Sequence, residues 1–143
     1  MKPEEIKLYR AIQKNAEESI KAIDTIGDKS YEDDFSMQIT RQSLKYGDIR
    51  NRAMAHLLSA KAEPVHENKV QDMIRAGVIH ANTLLNTSTS HLAELVIEGS
   101  NRNITQICKQ LNRNKIENSY ATELARELVD FEEKNIAIMK KYL

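Results

Sequence analysis

Asn86-Thr87-Ser88-Thr89-Ser90 interrupts an otherwise helix-favouring stretch over residues 66–112, and the reading of this pentapeptide decides the fold. Read as helix, it joins everything from His66 to Asn112 into one long rod. Read as a break, it divides that stretch into a short helix over residues 67–84 and a long one restarting near Thr87. The break is the better reading. Thr, Ser and Asn are indifferent helix formers, yet their side-chain oxygens accept hydrogen bonds from the unpaired N–H groups of a new first turn. The restarted helix then has about 26 residues and spans about 39 Å. That matches the final helix, as an antiparallel bundle requires.

Working outward, Pro3, Gly27 and Pro64 divide the remainder into stretches rich in Glu, Lys, Arg, Ala, Leu, Ile and Gln. These are good helix formers. No window combines β-branched enrichment with strict alternation, so strands are not expected. The first helix starts at Pro3, whose missing N–H costs nothing there, with Glu4 and Glu5 at the positive end of the dipole. Its seam is Tyr9, Ile12, Ala16, Ser19, Ile23 and Ile26, and Gly27 is expected to end it as a left-handed cap. The second helix begins near Ser30 and closes before Glu63-Pro64. Phe35, Ile39, Gln42, Tyr46, Ile49, Ala53, His56 and Ala60 follow one another at alternating steps of four and three, the spacing of a bundle seam. The third long helix carries Ala93, Ile97, Ser100, Ile104, Ile107 and Leu111, with Cys108 beside them, and a turn follows over residues 112–115. Ala121, Leu124, Leu128, Phe131, Asn135, Ile138 and Tyr142 mark the last. The expected architecture is all-α, a single domain over residues 1–143: an antiparallel four-helix bundle with a short crossover helix between the second and third long helices.

Composition removes several classes. The chain has 143 residues with 21 basic against 21 acidic side chains, so its formal net charge is zero, and it contains 4 Gly, 2 Pro and 1 Cys. Collagen-like and disulfide-scaffold chains need biased Gly, Pro or Cys, and extensive disorder needs few apolar residues with a large net charge. No apolar run approaches a membrane span, and a lone Cys fits a reducing, cytoplasmic setting. Arg102, Lys109, Arg113 and Lys115 gather near one end of the third long helix and Lys140 and Lys141 near the terminus. Without a net positive charge they read as a solvated face, and no nucleic acid is expected.

Chemistry in a bundle depends on polar residues that point inward from facing helices. His91, Glu94 and Glu98 recur at a three-four spacing on one face of the third long helix. Glu17 and Glu18 adjoin the first seam, Glu127 and Asp130 flank Leu128, and His56 lies on the second stripe. A set built from His91, Glu94, Glu98 and Glu17 supplies the nitrogen and oxygen ligands that suit iron, manganese or zinc. Composition alone also explains it, because a chain that is 29% charged places Glu beside most seams. Cys108 lies among Ile107 and Leu111 and reads as a small buried hydrophobe rather than a nucleophile. Nucleotide-binding, hydrolase and zinc-protease motifs are absent, so no catalytic residue is assigned.

The run Asn82-Thr83-Leu84-Leu85-Asn86-Thr87-Ser88-Thr89-Ser90-His91-Leu92-Ala93-Glu94, continuing through Glu98-Gly99-Ser100, together with Leu128-Val129-Asp130-Phe131-Glu132-Glu133-Lys134-Asn135-Ile136, resembles small bacterial ferritin-like four-helix-bundle proteins. The resemblance implies two helical hairpins joined by a crossover. Di-iron members of that class carry Glu-x-x-His on each of two helices. Here His91-x-x-Glu94 is reversed, the second helix has no interior glutamate and the last has no histidine. The resemblance therefore implies the fold without the di-iron chemistry.

The expected function is that of a non-enzymatic helical bundle acting through a second copy of itself or a protein partner. Leu8, Met37, Leu44, Val96, Ile136 and Met139 exceed what one interior needs and mark the expected contact face. The alternative is a metal-binding protein handling iron, manganese or zinc through the histidine–glutamate set.

Overall fold

A computed structural model describes residues 1–114 and 118–143. Five α-helices account for most of them: α1 (Pro3–Gly27), α2 (Asp33–Ser59), α3 (Lys69–Thr83), α4 (Thr89–Asn114) and α5 (Tyr120–Met139), followed by a 3₁₀ turn, Lys140–Tyr142. No strand occurs among the described residues. The pentapeptide behaves as read. The Ser88 side chain accepts the His91 N–H at 3.2 Å and so caps α4, two residues beyond the expected restart. Ser119 caps α5 in the same way, accepting from Thr122 at 3.2 Å. The expected turn after Asn112 begins later, since α4 continues to Asn114, and its remainder falls outside the described residues.

α1 and α2 form an antiparallel pair. Gly27 approaches Ile39 at one end, and the Tyr9 and His56 rings stack at the other. α2 and α5 are also antiparallel, because Asp34 meets Tyr142, Tyr46 meets Glu132, and Arg52 meets Glu127. α4 packs on both α5 and α1, whereas α3 packs on α1. Residues 62–68 run along α1 without regular secondary structure. Arg10 donates to the Glu63 carbonyl at 2.9 Å, and buried Gln13 clamps Val65 by donating to its carbonyl (3.1 Å) and accepting its N–H (2.9 Å). Lys21 then reaches Asp72, and Arg75 reaches Glu18, fixing α3 against α1.

The helix ends depart from expectation. Gly27 has no positive φ; the chain leaves α1 through ordinary right-handed turns, and the lack of a side chain at Gly27 instead admits Ile39, whose Cδ1 lies 3.5 Å from where a Cβ would stand. A left-handed residue stands instead at the end of α2, Lys61 with φ 57°. Ala62 N–H bonds to Leu57 O and Lys61 N–H to Leu58 O, the paired arrangement by which a helix recovers two of its unpaired carbonyls.

Seams shift by one residue where seven-residue spacing drifts against a 3.6-residue turn. Leu57, not His56, closes the core end of α2; Leu92 and Val96 join Ala93 on α4; Glu132 and Met139 are fully buried on α5, with Phe131 and Ile138 half-buried against the same core. Leu8, Val96 and Met139 are therefore core residues and cannot form the expected contact face, although Met37 and Leu44 are exposed.

Candidate functional site

The four residues expected to hold a metal are not brought to one point. The ring of His91 donates through Nε2 to the Asn82 carbonyl at 2.8 Å, which ties the start of α4 to the end of α3. Its Nδ1 faces Glu94, 3.6 Å away, and Glu94 is more than half exposed. Glu98 is exposed beside a cleft, and Glu17 accepts from Gln13 at 3.0 Å. No group of three or more His, Cys, Asp or Glu positioned to hold a metal ion occurs among the described residues. The chain's one Glu-x-x-His spacing, Glu63 to His66, lies in the irregular segment between α2 and α3 with both side chains solvated. His56 is half-buried in a stack between Tyr9 and Tyr120, with ring centroids at 5.1 and 4.3 Å, and its Nδ1 donates to the Arg52 carbonyl at 3.0 Å. These contacts give it a packing role. Cys108 is half-buried.

The polar cluster that the fold does build was not singled out from sequence. Glu132 is 0% exposed in the middle of α5. Tyr46 of α2 donates to its Oε1, and Asn103 of α4 donates to the same oxygen at 3.4 Å and to Ser19 of α1 at 2.7 Å. Four helices therefore meet at one carboxyl. Burial raises the Glu132 carboxyl above the ordinary glutamate range, with the Tyr46, Ser100 and Asn103 hydrogen bonds opposing that rise. Burial and the adjacent carboxyl push the Tyr46 phenol well up. One turn away, Gln42 and Asn135 are buried as well. Glu132 Oε2, both polar atoms of the Gln42 amide and Asn135 Nδ2 have no hydrogen-bond partner among the described residues, which is uncommon in a folded interior.

Beside the cluster, a cleft of about 350 Å³ opens between α1, α3 and α4. Ile23, Ile79 and Val96 line its walls, Ser19, Tyr46, Ser100 and Asn103 its floor, and Arg75 and Arg102 its rim.

The second feature is the outer face of α3. Val70, Met73, Ile74 and Val78, continued by Leu84 and Leu85 beyond the helix end, are all more than half exposed, Met73 at 74% and Leu85 at 97%. On the inner side only Ile79 and Thr83 are buried. The spacing is that of a core-facing helix, yet this face has no covering element. Sequence reading found the helix but passed over this stripe, although the recurrence from Val70 to Leu84 is visible in the residues alone.

No protein-family model matches the chain, and no curated protein or solved structure matches it either. No helix among the described residues is long and apolar enough to cross a membrane.

Proposed function

We propose that this chain is a non-enzymatic, cytoplasmic helical-bundle protein that acts by self-association, with α3 as its contact element. In this reading α1, α2, α4 and α5 form a four-helix bundle of ferritin-like connectivity, and α3 rides on it as the crossover. The antiparallel α1–α2 and α2–α5 pairings support that connectivity: with α4 and α5 read as a hairpin, they make α2 and α4 parallel and oblige residues 60–88 to return along the bundle.

The observation that carries the functional reading is the apolar outer face of α3. Monomeric proteins seldom expose contiguous apolar patches beyond a few hundred Å², and here six large apolar side chains lie in one stripe. The pattern fits a second copy. Reversing α3 about Gly77 places Val70 on Leu84 and Met73 on Ala81, the self-complementarity that a two-fold interface needs. Gly77 sits exposed at the centre with nothing within 4 Å of where its Cβ would be, which suits a close helix crossing. The stripe itself carries no charge, Asp72 and Arg75 are held by partners on α1 or by each other, and the chain is neutral overall, so like-charge repulsion does not oppose pairing. A basic polar face, which would favour an anionic membrane surface, is absent from α3. The metal reading draws only on the His91–Glu94 pair and has less to support it.

The test is a backbone amide NMR spectrum followed over a hundred-fold range of protein concentration. The reading expects concentration-dependent shifts confined to residues 69–85 and their immediate α1 contacts. A spectrum that does not change, or changes centred on α2 or α5, would count against it.

A further inference from the structure

The cleft between α1, α3 and α4 has the build of a small-molecule site: mostly apolar walls, a few convergent polar groups and a titratable group behind them. Its volume of about 350 Å³ lies at the lower end of the roughly 300–1,000 Å³ range of small-molecule pockets. The chemistry of the head group follows from where the floor's hydrogens go. Tyr46 spends its O–H on Glu132, Ser19 spends its O–H on the Asn15 carbonyl at 2.8 Å, Ser100 hydrogen-bonds into the Tyr46–Glu132 pair, and Asn103 spends its N–H₂ on Ser19 and Glu132. What these side chains have left for a ligand is oxygen lone pairs: Tyr46 Oη, Ser19 Oγ and Asn103 Oδ1. Glu132 stands immediately behind them, with Oε2 unpartnered and the residue wholly buried. A floor of acceptors backed by a carboxyl repels an anion and receives a donor, best a cationic one. On the rim, Arg75 is already neutralised by Glu18 at 3.3 Å and Asp72 at 3.1 Å, and Arg102 is matched by Glu98, which lines the same cleft, so the rim does not reverse that preference.

We propose that this cleft binds a small amphipathic amine, its ammonium head on the Tyr46–Ser19–Asn103 floor in front of Glu132 and its hydrocarbon or aryl body along Ile23, Ile79 and Val96. The burial that raises the Glu132 carboxyl supports this, since a bound cation supplies a counter-charge that none of its hydrogen-bonding neighbours, Tyr46, Ser100 and Asn103, provides. This site goes beyond self-association through α3 and draws on the α1-facing side of that helix, with Val78 at the border of the two.

The experiment is titration with hexylamine, hexanol and hexanoate at neutral pH, read by amide shifts of cleft residues, on the wild-type chain at a concentration too low for association. Two variants accompany it: Glu132→Gln, which keeps the shape and removes the charge, and Gly99→Leu, which places a side chain at the mouth of the cleft without touching the cluster. Hexylamine is expected to bind at least ten-fold more tightly than hexanol, and hexanoate not at all. Glu132→Gln should bring hexylamine down to the level of hexanol, and Gly99→Leu should weaken both. Equal binding of amine and alcohol, an amine preference that survives Glu132→Gln, or binding that Gly99→Leu leaves untouched would each overturn the proposal. Should Glu132→Gln fail to fold, Asn103→Leu takes its place, with the same loss of amine preference expected.

Discussion

Tyr46 on α2 donates its phenol hydrogen to Glu132 on α5, and both side chains are buried. This bond joins α2 to α5. It also places an ionisable group in the interior with a pKa raised chiefly by burial.

The pH dependence of stability follows from that shift. In the folded chain Glu132 holds its proton to higher pH than in the unfolded chain, so its contribution is fully present at low pH. It is lost as pH rises from the ordinary glutamate value through the raised folded value. Within that window the slope approaches about 1.4 kcal/mol per pH unit. Glu127, held low by Arg52, and Asp72, held low by Lys21, act with the opposite sign and lose their contribution as pH falls. Urea denaturation of wild type and Glu132→Gln at pH 5 and pH 8 separates the two. The variant is expected to gain on the wild type as pH rises, and parallel pH profiles would contradict the assignment.

Gln42 is buried on α2 with neither amide atom partnered among the described residues. An unpaired buried amide costs more than an apolar group of similar shape. Gln42→Met is therefore expected to stabilise the chain by about 1 kcal/mol in denaturant titration, whereas Ile12→Ala, in the same core, is expected to cost about 2–5 kcal/mol.

Gln13 holds the crossover through both atoms of its amide. Gln13→Ala leaves the Val65 N–H and carbonyl without these partners, at a cost of about 1–3 kcal/mol. Limited proteolysis is expected to cut within residues 60–68 sooner in the variant, with the cleavage rate of the α4–α5 hairpin unchanged.

Lys61 occupies a left-handed conformation that costs an L-residue roughly 1 kcal/mol. Lys61→Gly is expected to raise stability by about 0.5–1 kcal/mol, read as a higher denaturation midpoint. A lower midpoint would show that the side chain contributes something beyond the backbone turn.

Helix number, order and most of the seam were legible because they depend on local signals: proline and serine caps, glycine placement and the three-four recurrence of apolar residues. What was not legible depends on rotation and on neighbours. The same spacing that picked Phe131 gives, one residue later, Glu132. Only the convergence of Tyr46 and Asn103, remote in sequence, makes Glu132 tolerable inside. The metal set failed to assemble for a related reason. His91 and Glu94 are adjacent on α4, but the Nε2 atom of His91 is taken by the Asn82 carbonyl, a contact that depends on how α3 ends. The α3 stripe was legible in principle; its periodicity is as regular as that of any buried helix here, and only the packing shows that it faces outward.

The most direct measurement of the central claim is sedimentation equilibrium of the wild-type chain beside Met73→Lys/Ile74→Lys. Both positions are exposed, so folding should be preserved, as circular dichroism would confirm. Wild type is expected to approach twice the 16.4 kDa chain mass as concentration rises, and the double variant to remain at one chain mass. A wild-type chain that stays monomeric at every concentration, or a dimer that the two lysines leave intact, would contradict the account.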